Sequence, residues 1–448
     1  MDASILYGRQ IVLGEKDLEG LNNLRVKPAL VVGKRGAVFQ RGVICQRCGQ
    51  TTSLKLARLP TGKYYCPNCL LLGRLTSADR LYNLPEPHLF EYKKNSLTWQ
   101  GQLSKYQEKC SAQLQTVVKH GGKHLLWAVT GAGKTEMLFE TINWALQTGK
   151  RVGLASPRVD VCNELFPRLQ AAFAKTPMIL LHGHAKESYR YTQLVVATTH
   201  QLLRFYQAFD LLIIDEVDAF PFVDDPGLHY AANNALIPGG TLVYLTATPS
   251  RKLLAAVKKK ELSVSYLPLR FHGYLLPTIN LVAVAKLRSQ LDEGILNSKI
   301  KKILLRWQEE GYQFLVFVPR IALLKPVYQA IANLLKPELK GQTVYANDGQ
   351  RIEKVAKMRA QEYRYLVTTT ILERGVTFPG LNIMVLAADD SNFSTAALVQ
   401  IAGRAGRNKA RPTGDVYFFC QDYTRTVKAA CKQIKFLNRK GKKLKQDE

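Results

Sequence analysis

Two short segments, each placed directly after an apolar run, constrain the fold of this chain most strongly. The first, Ala128 to Thr135, has the letters AVTGAGKT; the second, Asp215 to Asp218, has the letters DEVD and follows the apolar run Leu211 to Ile214. Glycines allow a backbone to wrap a polyphosphate, a lysine neutralises its outer charges, and carboxylates at a strand end hold magnesium. The two segments together predict a nucleoside triphosphatase built on parallel strands.

The first segment departs from the simplest phosphate-loop pattern because Ala128 stands where a glycine would be expected. Its glycines are expected to adopt positive φ angles, its lysine to reach the outer phosphates and its last hydroxyl to bind Mg²⁺, with the helix N-terminus directed at the phosphates. The predicted ATP-binding residues of this loop are Thr130, Gly131, Ala132, Gly133, Lys134 and Thr135.

Catalytic or ATP-binding side chains are expected at three further places. Asp215 should hold the magnesium through water, and Glu216 should act as the general base; an isolated DEVD would also suit an acidic turn, but its position after an apolar strand favours catalysis. Gln107 could recognise the adenine edge or be an ordinary surface glutamine. Arg404 and Arg407, within QIAGRAGR, are expected to share one helix face and to act as arginine fingers.

The chain is strongly basic. Among 448 residues, Lys and Arg number 63 against 35 acidic residues, which gives a formal net charge of +28. This excess favours a polyanionic partner, because neutralising phosphates releases counterions; a basic protein kept soluble by self-repulsion is the alternative. The stretch from Gly20 to Ala78 contains no acidic residue, and neither does the stretch between Asp422 and Asp447. The second stretch suits nucleic acid, anionic lipid or simple exposure to solvent.

No secretion signal or membrane span is evident in the sequence. The first residues lack a basic start followed by an apolar core, and no stretch approaches the ~20 apolar residues of a spanning helix. We therefore expect a cytoplasmic protein, able to associate peripherally with the inner face of the cell membrane. In that reducing compartment, the eight cysteines are not expected to form disulfides.

Four cysteines occur as two closely spaced pairs, which is typical of a tetrahedral zinc site. Pro67 and Gly49 suit the two tight turns that such a site needs. A thioredoxin-like redox pair is the rival interpretation, and iron is the rival metal, although zinc suits four thiolates better. The remaining cysteines are scattered and are expected to be small buried hydrophobes. The predicted zinc ligands are Cys45, Cys48, Cys66 and Cys69.

The rest of the chain alternates apolar strands with amphipathic helices, which predicts an α/β protein with two doubly wound parallel-sheet lobes. Strands of the first lobe are expected at 124–128, 152–155, 193–198, 211–214 and 241–245. Strands of the second are expected at 314–318, 343–345, 365–368, 383–386 and 415–419. The predicted domains are an N-terminal segment (1–38), a zinc-binding four-cysteine module (39–95), an ATP-binding lobe (96–270), a second lobe (271–435) and a basic tail (436–448).

The motifs AVTGAGKT, DEVD, Thr246-Ala247-Thr248, TTTILERGVTF around Arg374 and Gly375, and QIAGRAGR resemble the ordered motifs of superfamily two helicases. More narrowly, DEVDAFPF, FHGYLLP and a four-cysteine module ahead of the first lobe resemble the ComFA family, late-competence ATPases of transformable Gram-positive bacteria. The resemblance covers about residues 41–433. It implies two RecA-like lobes and assigns ATP and Mg²⁺ to Gln107, the phosphate loop, Asp215, Glu216, Arg404 and Arg407.

The resemblance also implies a DNA-stimulated ATPase that moves single-stranded DNA during uptake, beside an uptake channel and a ComFC-like competence partner; an oligomer is possible. Thr246 and Thr248 would couple the nucleotide state to lobe closure. Thr377 stands where related helicases often carry an acid, which puts ribose contacts there in doubt. The DNA contacts implied are Ser156, Pro157, Arg158, Thr198, Thr199, Arg320, Thr369 and Thr370.

Three alternatives stay open from the sequence. The first is an ATP-gated DNA clamp or scaffold that does not translocate, and the second is a nucleic-acid-binding protein with an inactive ATPase site. The third is a replication-restart helicase resembling PriA, although PriA carries its cysteine clusters between the lobes. The four-cysteine module suits either a basic clamp on DNA or a folded cap and partner surface.

Overall fold

The computed structural model describes residues 2–34, 41–92, 95–183, 187–373, 378–408 and 411–446. The chain divides into two compact units. The first comprises residues 1–127 and 134–266, and the second comprises residues 128–133 and 267–448. The short segment 128–133 therefore belongs to the second unit, although the strand before it and the helix after it belong to the first.

The N-terminal part of the first unit is built from short antiparallel strands. Strand β1 pairs with β5, and β2, β3 and β4 form a three-stranded sheet that carries the first cysteine pair at its end. Short 3-10 helices cover Ala3–Leu6, Glu15–Asp17 and Pro67–Leu72. The elements are β1 (Arg25–Pro28), β2 (Leu30–Gly33), β3 (Gly42–Cys45), β4 (Thr51–Ser53), α1 (Leu54–Ala57) and β5 (Arg80–Asn83).

The larger part of the first unit is a seven-stranded sheet in the order β12-β6-β11-β10-β7-β9-β8, with parallel pairing from β6 through β8. Its central strands are apolar and buried along their whole length, as expected of strands covered on both faces. The elements are α2 (Lys105–His120), β6 (Gly122–Ala128), α3 (Lys134–Gln147), β7 (Val152–Ser156), α4 (Val159–Ala172), β8 (Met178–Leu181), β9 (Leu194–Thr198), β10 (Phe209–Ile214), α5 (Pro226–Ala235), β11 (Leu236–Thr246), α6 (Arg251–Lys258) and β12 (Ser263–Leu267).

The second unit contains a six-stranded, all-parallel sheet in the order β13-β18-β17-β14-β16-β15. A continuous apolar core packs helices against the central strands, with Trp307 and Phe314 among its largest buried side chains. The elements are β13 (Ile279–Ala283), α7 (Leu287–Asp292), α8 (Ser298–Glu309), β14 (Phe314–Phe317), α9 (Leu324–Leu334), β15 (Gly341–Val344), α10 (Arg351–Arg359), β16 (Tyr365–Thr368), β17 (Asn382–Val385), α11 (Thr395–Ala402), β18 (Val416–Cys420) and α12 (Arg425–Gln446).

The two parallel-sheet lobes and the four-cysteine cluster confirm the predicted fold class. Each predicted strand is present within a few residues of its expected bounds. Strands β8, β12 and β13 were not predicted, and residues 436–446, set apart as a basic tail, continue helix α12. Among the described residues, no helix combines the length and the apolar character needed to cross a bilayer.

Candidate active site and metal centre

The predicted phosphate loop connects the end of β6 to the start of α3. Gly131 and Gly133 have φ angles of +78° and +70°, the left-handed conformation predicted for them, which residues with a Cβ rarely adopt. Lys134 is the first residue of α3, so its side chain and the free amides of the first helical turn lie at the same place. This geometry suits an anionic phosphate chain.

The carboxylates of DEVD follow directly from β10. In the first unit, Lys134 Nζ lies 3.9 Å from Asp215 Oδ1, so the phosphate-loop lysine and the predicted magnesium ligand come together. The amide of Glu216 donates to the same Asp215 oxygen over 2.8 Å, and Glu216 has a φ of +54°. A non-glycine residue in this conformation is strained, and such strain is found at active sites more often than elsewhere.

Asp218, the last residue of DEVD, joins this strand end to the end of β11. Thr246 Oγ1 donates to Asp218 Oδ1 over 2.5 Å, and the Thr248 hydroxyl donates to the other carboxylate oxygen. The Thr248 amide in turn donates to Thr246 Oγ1 over 2.8 Å. The resemblance to superfamily two helicases implied a coupling role for both threonines. It did not identify Asp218 as the acceptor of their hydrogen bonds, because only the fold brings Asp218 close to them.

The prediction that Arg404 and Arg407 share a helix face is wrong. Helix α11 ends at Ala402, and both arginines lie in the turn that follows. The glycines in this segment explain the break: Gly406 has a φ of +75°, and Gly403 is the C-cap residue of α11. Arg407 Nε donates to the Gly403 carbonyl over 2.9 Å.

Within the second unit, the loop residues 128–133 contact this arginine turn. Thr130 Oγ1 donates to the Gly403 carbonyl over 3.3 Å, and a Cβ built on Gly403 would lie only 1.9 Å from that hydroxyl. A Cβ built on Gly131 would lie 3.8 Å from Arg407 Nε, in ordinary contact. A glycine is therefore required at position 403 for the Thr130 hydroxyl to approach so closely. The contact between Gly131 and Arg407 places this arginine beside the loop predicted to bind phosphate.

Arg270 is a third arginine of this cluster that the sequence analysis missed. Its guanidinium is buried and donates to the carbonyls of Ala405 (2.8 Å), Gly403 (3.1 Å) and Pro412 (2.9 Å). Burial, and then the nearby charge of Arg407, lower the pKa of Arg270 to about 9. No motif marks this residue, so a sequence pattern could not have identified it.

Gln107 is buried rather than exposed. Its Oε1 accepts the Ser104 amide over 2.8 Å, and the two residues form a capping box at the start of α2. The capping box fixes the position of the side chain, which excludes the interpretation as an ordinary surface glutamine.

The predicted DNA contacts lie at strand ends in each unit. In the first unit, Ser156 and Thr198 are opposite each other at the ends of β7 and β9, with Thr199 next in the chain and Pro157 and Arg158 after Ser156. Ser156, Thr198 and Thr199 are buried.

In the second unit, Arg320 follows β14, while Thr369 and Thr370 follow its neighbour β16. Arg320 is exposed and lies 3.4 Å from Asp292. The carboxyl ends of parallel strands meet at one edge of a sheet, so these residues share that edge. Arg374, Gly375 and Thr377 lie outside the described residues.

The four predicted zinc ligands form one cluster. Cys45, Cys48, Cys66 and Cys69 are buried, and their sulfurs all lie within 4.8 Å of one another. Cys45 Sγ lies 3.8 Å from Cys69 Sγ, and Cys48 Sγ lies 3.6 Å from Cys66 Sγ. A tetrahedral site with zinc–sulfur bonds of about 2.3 Å has sulfurs about 3.8 Å apart, so the donor set fits Zn²⁺.

Arg47, between the first two ligands, stabilises the cluster. Its Nε donates to Cys69 Sγ over 3.4 Å, and its Nη2 donates to the carbonyls of Cys69 (3.1 Å) and Gly73 (2.8 Å). These bonds join the two cysteine turns and place a positive charge beside thiolates that together carry more charge than one Zn²⁺ neutralises. In the sequence, Arg47 is one of several basic residues in the acid-free stretch from Gly20 to Ala78, and nothing local indicates its contacts with the cysteine turns.

One cysteine turn also packs against α5. Gly49 has a φ of +70°, and a Cβ built on it would lie 2.5 Å from the Tyr230 ring. The metal site is thus attached directly to the helix that follows DEVDAFPF.

Two family descriptions match parts of the chain. "Type III restriction enzyme, res subunit" matches residues 100–251, and "Helicase conserved C-terminal domain" matches residues 296–409. The competence protein ComFA of Streptococcus pneumoniae (strain ATCC BAA-255 / R6) is 41% identical over 89% of this chain and 91% of that protein. The chain belongs to the ComFA family. Together, these matches confirm the predicted resemblance to ComFA and to superfamily two helicases.

Further relatives agree with this assignment. ComFA of Bacillus subtilis (strain 168) is 38% identical over 90% of this chain and 87% of that protein. The replication restart protein PriA of Rickettsia conorii (strain ATCC VR-613 / Malish 7) is 24% identical over 68% of this chain and 60% of that protein. The PriA likeness is therefore weaker and less extensive than the ComFA likeness. The helicase-family matches support an ATP-hydrolysing enzyme of superfamily two.

Solved structures show the same fold. S. cerevisiae Dbp5 bound to RNA and ADP BeF3 aligns with a TM-score of 0.52 at 15% identity, over 75% of this chain and 88% of that one. DEAD-box helicase Mss116 bound to ssRNA and UDP-BeF aligns with a TM-score of 0.53 at 16% identity, over 71% and 73%. At these identities the likeness concerns the two RecA-like lobes alone.

Proposed function

We propose that this protein is an ATP-driven translocase that moves single-stranded DNA into the cell during natural competence. The observation that carries the proposal is membership of the ComFA family over nine-tenths of the chain, combined with the contact in the first unit between Lys134, the first residue of α3, and Asp215, which follows β10. Family membership supports the role in competence, and the contact supports ATP hydrolysis.

The chemistry assigned to this chain follows from the residues at the loop. Lys134 and the amides of the first turn of α3 would bind the phosphates, with Gly131 and Gly133 permitting their close approach. Mg²⁺, when bound through Thr135 and Asp215, would neutralise charge that develops on the phosphates. Glu216 would orient and deprotonate the attacking water, and Arg404 and Arg407 would stabilise the transferred phosphoryl group.

The hydrogen bonds of Asp218 are proposed to transmit the nucleotide state. Because Thr246 and Thr248 share this one carboxylate, a shift of the DEVD segment on hydrolysis would move the end of β11 with it. Repeated cycles of this kind would advance the DNA strand. A ComFC-like partner and peripheral attachment to the membrane belong to the same proposal, by analogy with the family.

A streptavidin-displacement assay tests the translocase directly. Protein with ATP and Mg²⁺ is mixed with a biotinylated single strand carrying streptavidin at one end, with Arg407→Ala and ATP-free reactions as controls. The proposal expects release that needs ATP and is lost in Arg407→Ala. DNA-stimulated hydrolysis without release would favour the clamp or scaffold instead.

A further inference from the structure

Helix α12 has two faces of opposite character. One face carries a row of residues spaced by three and four, and this row is buried against the second unit. Gly441 allows the closest approach, since a Cβ there would lie 2.7 Å from Leu275 Cδ2 and 2.9 Å from Leu269 Cδ2. The buried row consists of Val427, Ala430, Ile434, Leu437 and Gly441.

The opposite face carries six cations at spacings of three and four residues. All of them except Lys442 lie two residues before or after a member of the buried row, which at 100° per residue places them about 200° away around the helix; Lys442 directly follows Gly441 and lies about 100° from it. All are exposed, and the row runs for about 26 Å at 1.5 Å per residue. This basic row consists of Arg425, Lys428, Lys432, Lys435, Arg439 and Lys442.

The described residues provide no carboxylate partner for the basic row. Within the ranges that the structure describes, none of its members forms an ion pair with a carboxylate. Like charges three and four residues apart on a helix repel one another and weaken the helix. The cations of the row repel one another over almost five turns of the helix. Binding a polyanion would remove this repulsion.

The basic row connects two edges of the second sheet. Helix α12 follows the carboxyl end of β18, the edge that carries Arg320 and Thr369. Farther along α12, Asn438 Oδ1 accepts the Leu276 amide over 2.9 Å, and its Nδ2 donates to the Leu276 carbonyl over 3.0 Å. Leu276 precedes β13, so the row ends at the amino edge.

A basic cleft lies at that amino edge. It has a volume of about 940 Å³, and its cationic lining comes from Lys435, Arg439 and Lys442 of the row together with Arg411. The one acidic residue in its lining, Asp415, is already engaged by Arg306 and by Trp307 Nε1, the latter over 3.0 Å. The row and the cleft thus form one continuous positive surface.

We infer that the basic row of α12 binds the phosphate backbone of the DNA strand, as a second track outside the strand-end contacts. This inference rests on the proposed function for the identity of the polyanion. A membrane surface fits the helix less well, because an interfacial helix buries its apolar face in lipid and here that face is packed inside the protein. A linear row of cations contacts phosphates, which all nucleotides share, so it follows a strand without reading bases.

The test compares two variants with the same loss of charge. One replaces Lys432, Lys435, Arg439 and Lys442 with alanine; the control replaces Lys301, Lys302, Lys336 and Lys340, which are exposed lysines elsewhere on the same unit.

Binding of fluorescein-labelled dT40 is measured by anisotropy across a range of NaCl concentrations. The row variant is expected to bind at least about tenfold more weakly. Its slope of log K against log salt should be smaller by about three, since each single-strand phosphate contact contributes about 0.7.

Three further results decide the inference. The charge-keeping variant Lys432→Arg/Lys435→Arg/Lys442→Arg should retain the native slope, which separates charge from folding. A row variant with the native slope, or a control variant with the same reduced slope, would overturn the inference. Loss of binding to vesicles of phosphatidylcholine and phosphatidylglycerol, with dT40 binding unchanged, would assign the row to a membrane instead. If DNA does not stimulate the ATPase of the native protein but the row variant still shows the reduced slope, the proposed translocase function is wrong and DNA binding by the basic row is retained.

Discussion

Arg151 and Glu86 form a buried ion pair whose loss should destabilise the first unit strongly. The Arg151 side chain is 0% exposed and the Glu86 side chain 1%. Arg151 Nη1 donates to Glu86 Oε2 over 2.7 Å and to the Tyr7 carbonyl over 3.1 Å. Its Nε donates to the Thr192 carbonyl over 3.1 Å and its Nη2 to the Tyr189 hydroxyl over 2.7 Å. One guanidinium thereby ties the N-terminal segment to the seven-stranded sheet.

Arg151→Met nearly keeps the volume and removes the charge, so the buried Glu86 carboxylate would lose its positive partner and keep only the hydrogen bonds from the Tyr191 hydroxyl and the His88 amide. Breaking a buried pair in this way typically costs about 3–5 kcal/mol. In Arg151→Met/Glu86→Leu neither charge remains, so the double variant should lose less than the sum of Arg151→Met and Glu86→Leu. At about 2–4 °C per kcal/mol for a unit of this size, the single variant should melt roughly 6–20 °C lower.

Urea unfolding followed by tryptophan emission measures this cost. Trp99, Trp127 and Trp144 lie in the first unit and Trp307 in the second, so emission reports chiefly on the unit that contains the pair. A loss below about 1 kcal/mol in Arg151→Met, or a double variant whose cost equals the sum of the singles, would refute the reasoning.

Three other predictions concern separate parts of the molecule. Burial lowers the pKa of His124 from 6.5 to about 4. The folded protein therefore has its full stability from this group above pH 6.5, where the imidazole is neutral in both states, and loses stability as the pH falls from 6.5 towards 4. Urea titrations should show a loss of roughly 2–3 kcal/mol by pH 4.5 that is absent in His124→Gln. Cys66→Ser should release zinc to a chromogenic chelator and lower the melting temperature; full zinc retention would contradict the assigned ligand set. Thr248→Val should leave ATP affinity nearly unchanged but slow hydrolysis by roughly 10- to 150-fold, since the hydrogen bond to a charged group is worth about 1.5–3 kcal/mol; unchanged hydrolysis would exclude the coupling role.

With one exception, the strands of the two lobes that the sequence predicted lie inside the sheets; the exception is β15, a half-buried edge strand. Strand β16 was predicted with its correct bounds, and its residues are buried throughout. The missed strands of the two parallel-sheet lobes, β8, β12 and β13, are all edge strands, and β12 and β13 contain exposed or half-exposed residues. An edge strand has one neighbour and less buried surface, so its sequence carries a weaker pattern.

The candidate site was predictable where chemistry depends on local sequence. The phosphate loop, DEVD and the cysteine pairs each lie within a few residues, and their letters specify the geometry. Arg47 and Asp218 lie inside such motifs and Arg270 lies in none, but all three act through partners that are distant in the chain, so their contacts could not be predicted from local sequence. The arginines of QIAGRAGR fall between these cases: their identity was evident, but Gly403 and Gly406 end the helix that was expected to carry them.

ATP turnover by the purified protein is the most direct test of the central claim. Rates are compared at fixed salt without nucleic acid and with single-stranded DNA, duplex DNA or RNA, beside a Lys134→Ala control. The account predicts strong stimulation by single-stranded DNA that Lys134→Ala abolishes. Stimulation chiefly by RNA, or by none of these polymers, would contradict an ATPase that works on DNA during uptake.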